Sequence, residues 1–67
     1  MSFILKDATV VAVNREGTAI LVDAVELDEP VWVPQSQIEA ESEIWKRGDE
    51  GDLVVTEWIA GEKGWLD

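Results

Sequence analysis

The sequence predicts a mainly β domain: a small five-stranded antiparallel barrel or half-barrel with a short C-terminal helix. Three observations lead there. Short runs rich in β-branched residues recur, as in ATVVAV (residues 8–13) and LVVT (residues 53–56). Turn signals separate them at close intervals, with Gly17, Pro30 and the GDEGD stretch of residues 48–52 the clearest. The tail EWIAGEKG, residues 57–64, then changes to helical propensity and ends on a glycine.

The elements follow in order. Residues 3–13 form the first strand. Their hydrophobicity is nearly continuous, which fits a strand covered on both faces or the central strand of a curled sheet. The polar run Asn14-Arg15-Glu16-Gly17 breaks it, and Gly17 supplies the positive φ that a short hairpin loop needs. Residues 18–25 return as a second strand, with Ile20, Val22 and Ala24 on one face and Ala19, Leu21 and Asp23 on the other. The acidic turn ELDEP ends at Pro30, which cannot donate to a ladder. Residues 31–33 make a short third strand that Pro34 stops. The following PQSQI reads as a tight turn or a single 3₁₀ turn, with Ser36 capping it through its hydroxyl and Ile38 returning to the core.

Residues 39–47 (EAESEIWKR) carry two signals. Their local propensity is helical. Yet Ile38, Ala40, Ser42 and Ile44 alternate with Glu39, Glu41 and Glu43, a half-buried strand with a wet outer side. Trp45 falls on that wet side and does not fit it. The reading adopted is a strand from Glu43 onward. After the turn at 48–52, residues 53–56 form the last strand and residues 57–63 the helix, with Gly64 at its C′ position; the alternative is a strand running on through Ile59. Trp65 and Leu66 are expected to fold back onto the mouth of the barrel. Strands of this number and spacing suit a barrel of the Sm-like or OB-like kind, all within one domain spanning 1–67.

Composition narrows the function. The chain has 67 residues, no cysteine and no histidine, so neither a disulfide nor the usual zinc ligands are expected. It carries 5 basic against 15 acidic residues, a net charge of −10. Such a surface repels nucleic acid and anionic membrane, so neither is expected as a direct partner. The alternative is an acidic nucleic-acid mimic. Residues 1–7 lack the basic start and long apolar core of a signal peptide, and no apolar run approaches the length of a membrane span. A cytoplasmic location is expected.

Chemistry is sparse. Serine occurs at positions 2, 36 and 42, with no cysteine, histidine or tyrosine beside it. A Ser–Lys pair would need a lysine of lowered pKa, which nothing sets beside Ser36. The sequence contains no phosphate-binding glycine loop and no metal-ligand spacing; the Asp49, Glu50 and Asp52 group lacks an EF-hand pattern. The chain is therefore expected not to be an enzyme and to carry no cofactor or metal.

Binding residues stand out instead. Four tryptophans are too many for one core of this size, and an exposed tryptophan is a characteristic interface anchor. The candidates are Trp32, Trp45, Trp58 and Trp65, joined by the hydrogen-bonding Gln35, Ser36 and Gln37 beside Trp32 and by Arg47, a basic residue near Lys46.

Two motifs also resemble a group of very small phage and prophage proteins of unassigned function. VWVPQSQI matches their W-[IV]-P-x-S-Q-I turn through Trp32, Val33, Pro34, Ser36, Gln37 and Ile38. The later stretch matches their G-x-L-x-V-x-x-W-x-A-x-x-K-G tail through Gly51, Leu53, Val55, Trp58, Ala60, Lys63 and Gly64. The resemblance covers about half the chain. It implies expression inside an infected or lysogenic bacterium, and a phage accessory protein that binds a host or phage protein stoichiometrically in counter-defence or replication control. The alternative expectation is a homo-oligomeric sponge for a nucleotide-like small molecule.

Overall fold

The computed structural model describes residues 2–66. Strands β1 (Ser2–Val13), β2 (Ala19–Ala24), β3 (Val31–Pro34) and β4 (Glu50–Thr56) form one antiparallel sheet in the order β3-β2-β1-β4, and helix α1 (Glu57–Glu62) follows. The expected hairpin, third strand, 3₁₀ turn and C-terminal helix all form. The expected fifth strand does not: residues 43–47 are irregular, and the sheet has four strands. β4 also begins three residues before Leu53, because Glu50, Gly51 and Asp52 belong to the strand rather than to the turn.

β1 is one of the two inner strands, and it serves β4 and β2 by bending. Its first residues pair with β4, from Ser2 opposite Thr56 to Leu5 opposite Leu53. Its later residues pair with β2, from Ala8 opposite Ala24 to Val13 opposite Ile20, while Ala8 and Thr9 also pair with Gly51 and Glu50 of β4. The register slips between Leu5 and Ala8, where Asp7 adopts φ 56°. Asp tolerates this left-handed backbone better than most residues. The extra residue shifts the inward side chains from Leu5 to Ala8 and Val10, so one strand serves one core across a bend. A second slip between Val10 and Ala12 sets Val11 and Ala12 together opposite Leu21.

The loop after β1 closes on Asn14. Its side-chain oxygen accepts from the N–H groups of Thr18 and Ala19 at 2.8 and 3.0 Å, and Gly17 takes φ 74°. The core gathers Leu5, Val10, Ile20, Val22, Val33, Ile44, Leu53 and Val55, all of them at most 2% exposed, with Ile38, Ile59 and Ala60 behind them.

The irregular stretch after the 3₁₀ turn does what a fifth strand would do. Ile38 makes an antiparallel bridge to Val55, and Glu39 N–H donates to the Val54 carbonyl at 2.8 Å. Beyond that, side chains replace backbone. Val54 N–H donates to Ser42 Oγ at 3.2 Å. Glu43 N–H donates to the Asp52 carbonyl at 3.0 Å, while Asp52 N–H donates to Glu43 Oε1 at 2.9 Å. Gly51 lies under that carboxylate; a Cβ there would stand 2.5 Å from Glu43 Oε1. The alternation of Ser42, Ile44 and the glutamates thus has a cause other than a strand. Ser42 and Ile44 do point inward, both buried, but the backbone between them is bent, and the hydroxyl and carboxylate meet β4.

Thr56 caps α1, its Oγ1 accepting from Ile59 N–H at 3.3 Å. The helix ends in a Schellman motif: Gly64 N–H donates to the Gly61 carbonyl and Trp65 N–H to the Ala60 carbonyl, with Gly64 at φ 79°. This reversal lays the Trp65 ring on Phe3, centroids 5.8 Å apart. Among the described residues, no helix is long and apolar enough to cross a membrane.

Candidate binding surfaces

Register decides which side chains leave the core. Ile20 and Val33 oppose each other and are fully buried, so the next pair, Leu21 and Trp32, faces the other side of the sheet. Trp32 is 45% exposed and Val11 44%. Trp32, Leu21 and the bulged Val11 and Ala12 therefore form one apolar row across β3, β2 and β1 on the outer face. The next row on that face is polar, with Thr9 between Asp23 on β2 and Glu50 on β4. An apolar centre beside carboxylates matches the general anatomy of a protein-binding patch.

β3 is also a sheet edge. Gln35 N–H donates to the Thr18 carbonyl at 2.8 Å. In an antiparallel ladder this alternates, so Val33 and Val31 face β2 while the backbone groups of Trp32 and Pro34 face outward. Pro34 has no N–H, so among the described residues Trp32 carries the one free donor of this short edge.

The other residues singled out from sequence separate. Gln37 is tied into the fold: its Oε1 accepts from Thr56 Oγ1 at 2.6 Å, linking the 3₁₀ turn to the α1 cap. Ser36 is exposed and does not cap its turn; the position before the turn is Pro34, and no side chain bonds there. The turn closes through backbone alone, Ile38 N–H donating to the Gln35 carbonyl at 3.1 Å. Gln35 is half-buried at the end of β3. Trp45 packs against the core and donates from Nε1 to the Ser42 carbonyl at 2.9 Å, which explains how a tryptophan tolerates the face that looked wet. Arg47 is exposed in the turn before β4. Trp58 is 62% exposed on α1 while its neighbour Ile59 is buried. Trp65 is half-buried on Phe3. Two of the four tryptophans, Trp32 and Trp58, are thus exposed and two pack inward.

Asp49 holds the 45–49 turn. Its Oδ2 accepts from the N–H groups of Trp45 and Lys46 at 2.9 and 2.8 Å. These bonds favour the ionised carboxylate, first the one from Trp45 and then that from Lys46, and hold its pKa below the ordinary 3.8. The Asp52 carboxylate instead faces Lys6 Nζ at 4.0 Å, an exposed pair of little weight. Sequence reading overlooked Ser42 and Glu43 as edge-closing acceptors and Glu26 and Leu27 as walls of a cleft. The cleft, about 510 Å³, lies between Phe3, Leu5, Glu26, Leu27, Gly64 and Trp65.

No protein-family model matches the chain, and no curated protein or solved structure does either.

Proposed function

We propose that this chain is a non-enzymatic phage accessory protein that acts by binding a host or phage protein stoichiometrically, in the cytoplasm of an infected or lysogenic bacterium. The motif resemblance supplies the phage setting and the counter-defence or replication-control context. The observation that carries the binding is the row of Trp32, Leu21 and Val11 on the outer face of an acidic protein. With net charge −10, the favoured partner is basic around an apolar groove that receives Trp32. Charge of one sign disfavours pairing with a second copy at low salt. We read the fold as a half-barrel of the Sm-like or OB-like kind, because residues 38–43 carry the chain from β3 to the far edge of β4.

The test is capture from infected-cell lysate by immobilised protein, with Trp32→Ser alongside. A protein recovered at fixed stoichiometry by the parent and lost with the variant is the expected result. Because Trp32 is half-exposed, the substitution is expected to cost about 2–3 kcal/mol, and circular dichroism of the variant checks that it still folds. Equal capture by both chains, or none by either, overturns the reading. A small molecule retained in native mass spectrometry of an oligomer would support the sponge instead. Salt-sensitive competition with DNA for a captured DNA-binding enzyme would support the mimic.

A further inference from the structure

The cleft behind Trp65 is separate from the Trp32 row, and its walls set apolar side chains beside a single carboxylate. Phe3 and Leu5 come from the start of β1, whose side chains here face the core. Trp65 arrives through the reversal at Gly64 and stacks on Phe3 with its ring plane inclined by 30°. Leu27 is held by the turn in which its N–H donates to the Ala24 carbonyl at 3.0 Å. Between these apolar walls stands one ionisable group, Glu26. It belongs to an exposed acidic run with Asp28 and Glu29, and among the described residues no ion pair engages it.

The volume, about 510 Å³, lies in the range of small-molecule sites, roughly 300–1,000 Å³. A phosphate or carboxylate ligand would meet Glu26 and the field of a chain at −10, with no cation among the described residues of the lining. The opposite charge meets a carboxylate and the aromatic side chains of Phe3 and Trp65, groups of the kind that attract an ammonium. We propose that this cleft binds an organic cation: an ammonium group carried on an aryl or alkyl body, the body lying against Phe3, Leu27 and Trp65 and the ammonium beside Glu26.

Three probes of nearly equal shape separate charge from shape: phenethylamine, phenethyl alcohol and phenylacetate. A lysine-containing tripeptide separates a free amine from a lysine side chain delivered by a protein. The readout is the indole N–H signal of each tryptophan in two-dimensional NMR during titration. The expected result is saturable movement of the Trp65 signal with phenethylamine, about three- to tenfold weaker binding of the alcohol, and none of the acid. Glu26→Gln lies at an exposed position, leaves the fold unchanged, and removes the preference for amine over alcohol. Tighter binding of the tripeptide than of phenethylamine assigns the same site to a protein's lysine. Equal binding of all three probes, movement at Trp32 or Trp58 in place of Trp65, or an amine preference that survives Glu26→Gln overturns the proposal.

Discussion

The two edges of the sheet are built in opposite ways. Along β4, the outward backbone groups of Asp52 and Val54 are all engaged, two by backbone and two by the side chains of Ser42 and Glu43. Along β3, no backbone hydrogen bond from another described residue reaches the outward groups of Trp32, and the strand is only four residues long. An unpaired edge is a hazard that proteins blunt or use. The first edge is closed by ordered chain from within. The second is blunted by Pro34 and by shortness, and it presents a tryptophan. Polar side chains at one edge thus complete the fold, whereas the apolar side chain at the other stays exposed.

The largest expected effect comes from releasing the closed edge. Ile44 is fully buried and anchors the stretch that runs along β4. Ile44→Ala removes three heavy atoms from the core and is expected to cost about 2–5 kcal/mol in urea denaturation. If β4 were closed by Ser42 and Glu43 alone, with Ile44 contributing little, the loss would stay near the cost of a surface change.

A smaller effect isolates the hydroxyl. Ser42→Ala keeps the backbone bond of Glu39 to Val54 but leaves Val54 N–H, inside a buried site, without its acceptor. The expected cost is about 1–3 kcal/mol. Hydrogen exchange sharpens it. In the parent chain the amides of Asp52 and Val54 exchange slowly while that of Trp32 exchanges quickly; in the variant Val54 joins the fast group and Asp52 stays slow. Equal protection of Trp32 and Val54 in the parent would erase the contrast between edges.

Acid tests the turn that delivers β4. The folded pKa of Asp49 lies below its ordinary 3.8. Its contribution to stability is therefore complete above that value and is lost as pH falls through 3.8 and then through the folded value. Asp49→Asn removes this component. The variant's urea midpoint should fall less than the parent's between about pH 5 and 2, the difference being measured against the response of the remaining carboxylates, which the two chains share.

Much of the β framework was legible because its causes are local. The hairpin needs Asn14 and Gly17, the helix needs Thr56 and Gly64, and each acts within a few residues of where it stands. The stretch over residues 39–47 was not legible, because its structure depends on partners 9 and 12 residues away: Glu43 on Asp52, and Ser42 on Val54. Alternation of polar and apolar residues showed that one side faced the core, but it could not show that a hydroxyl and a carboxylate substitute for ladder carbonyls. The site divided along the same line. Exposure of Trp32 follows from sheet register, which the sequence suggested through β2's faces. Trp45 is half-buried, and its indole N–H is satisfied by the Ser42 carbonyl three residues back across a bent backbone, a local bond that alternation does not encode.

The smallest change in stability belongs to Pro34, and it addresses the open edge directly. Pro34 occupies the outward-facing end of β3 with φ −67°, a value that alanine also adopts. Pro34→Ala gains unfolded-state freedom and should cost only about 0.4–1 kcal/mol. It also adds an N–H to the free edge, two residues from that of Trp32 and pointing the same way. The edge then offers a second donor to an incoming strand. Mutual repulsion of chains at −10 opposes self-pairing, so the effect should emerge as salt screens it. Sedimentation velocity across a salt series is expected to show the variant associating more than the parent, with the gap widening as salt rises. If the two chains associate equally at every salt concentration, Pro34 is not what guards the edge, and pairing at Trp32 is limited by the length of β3 alone.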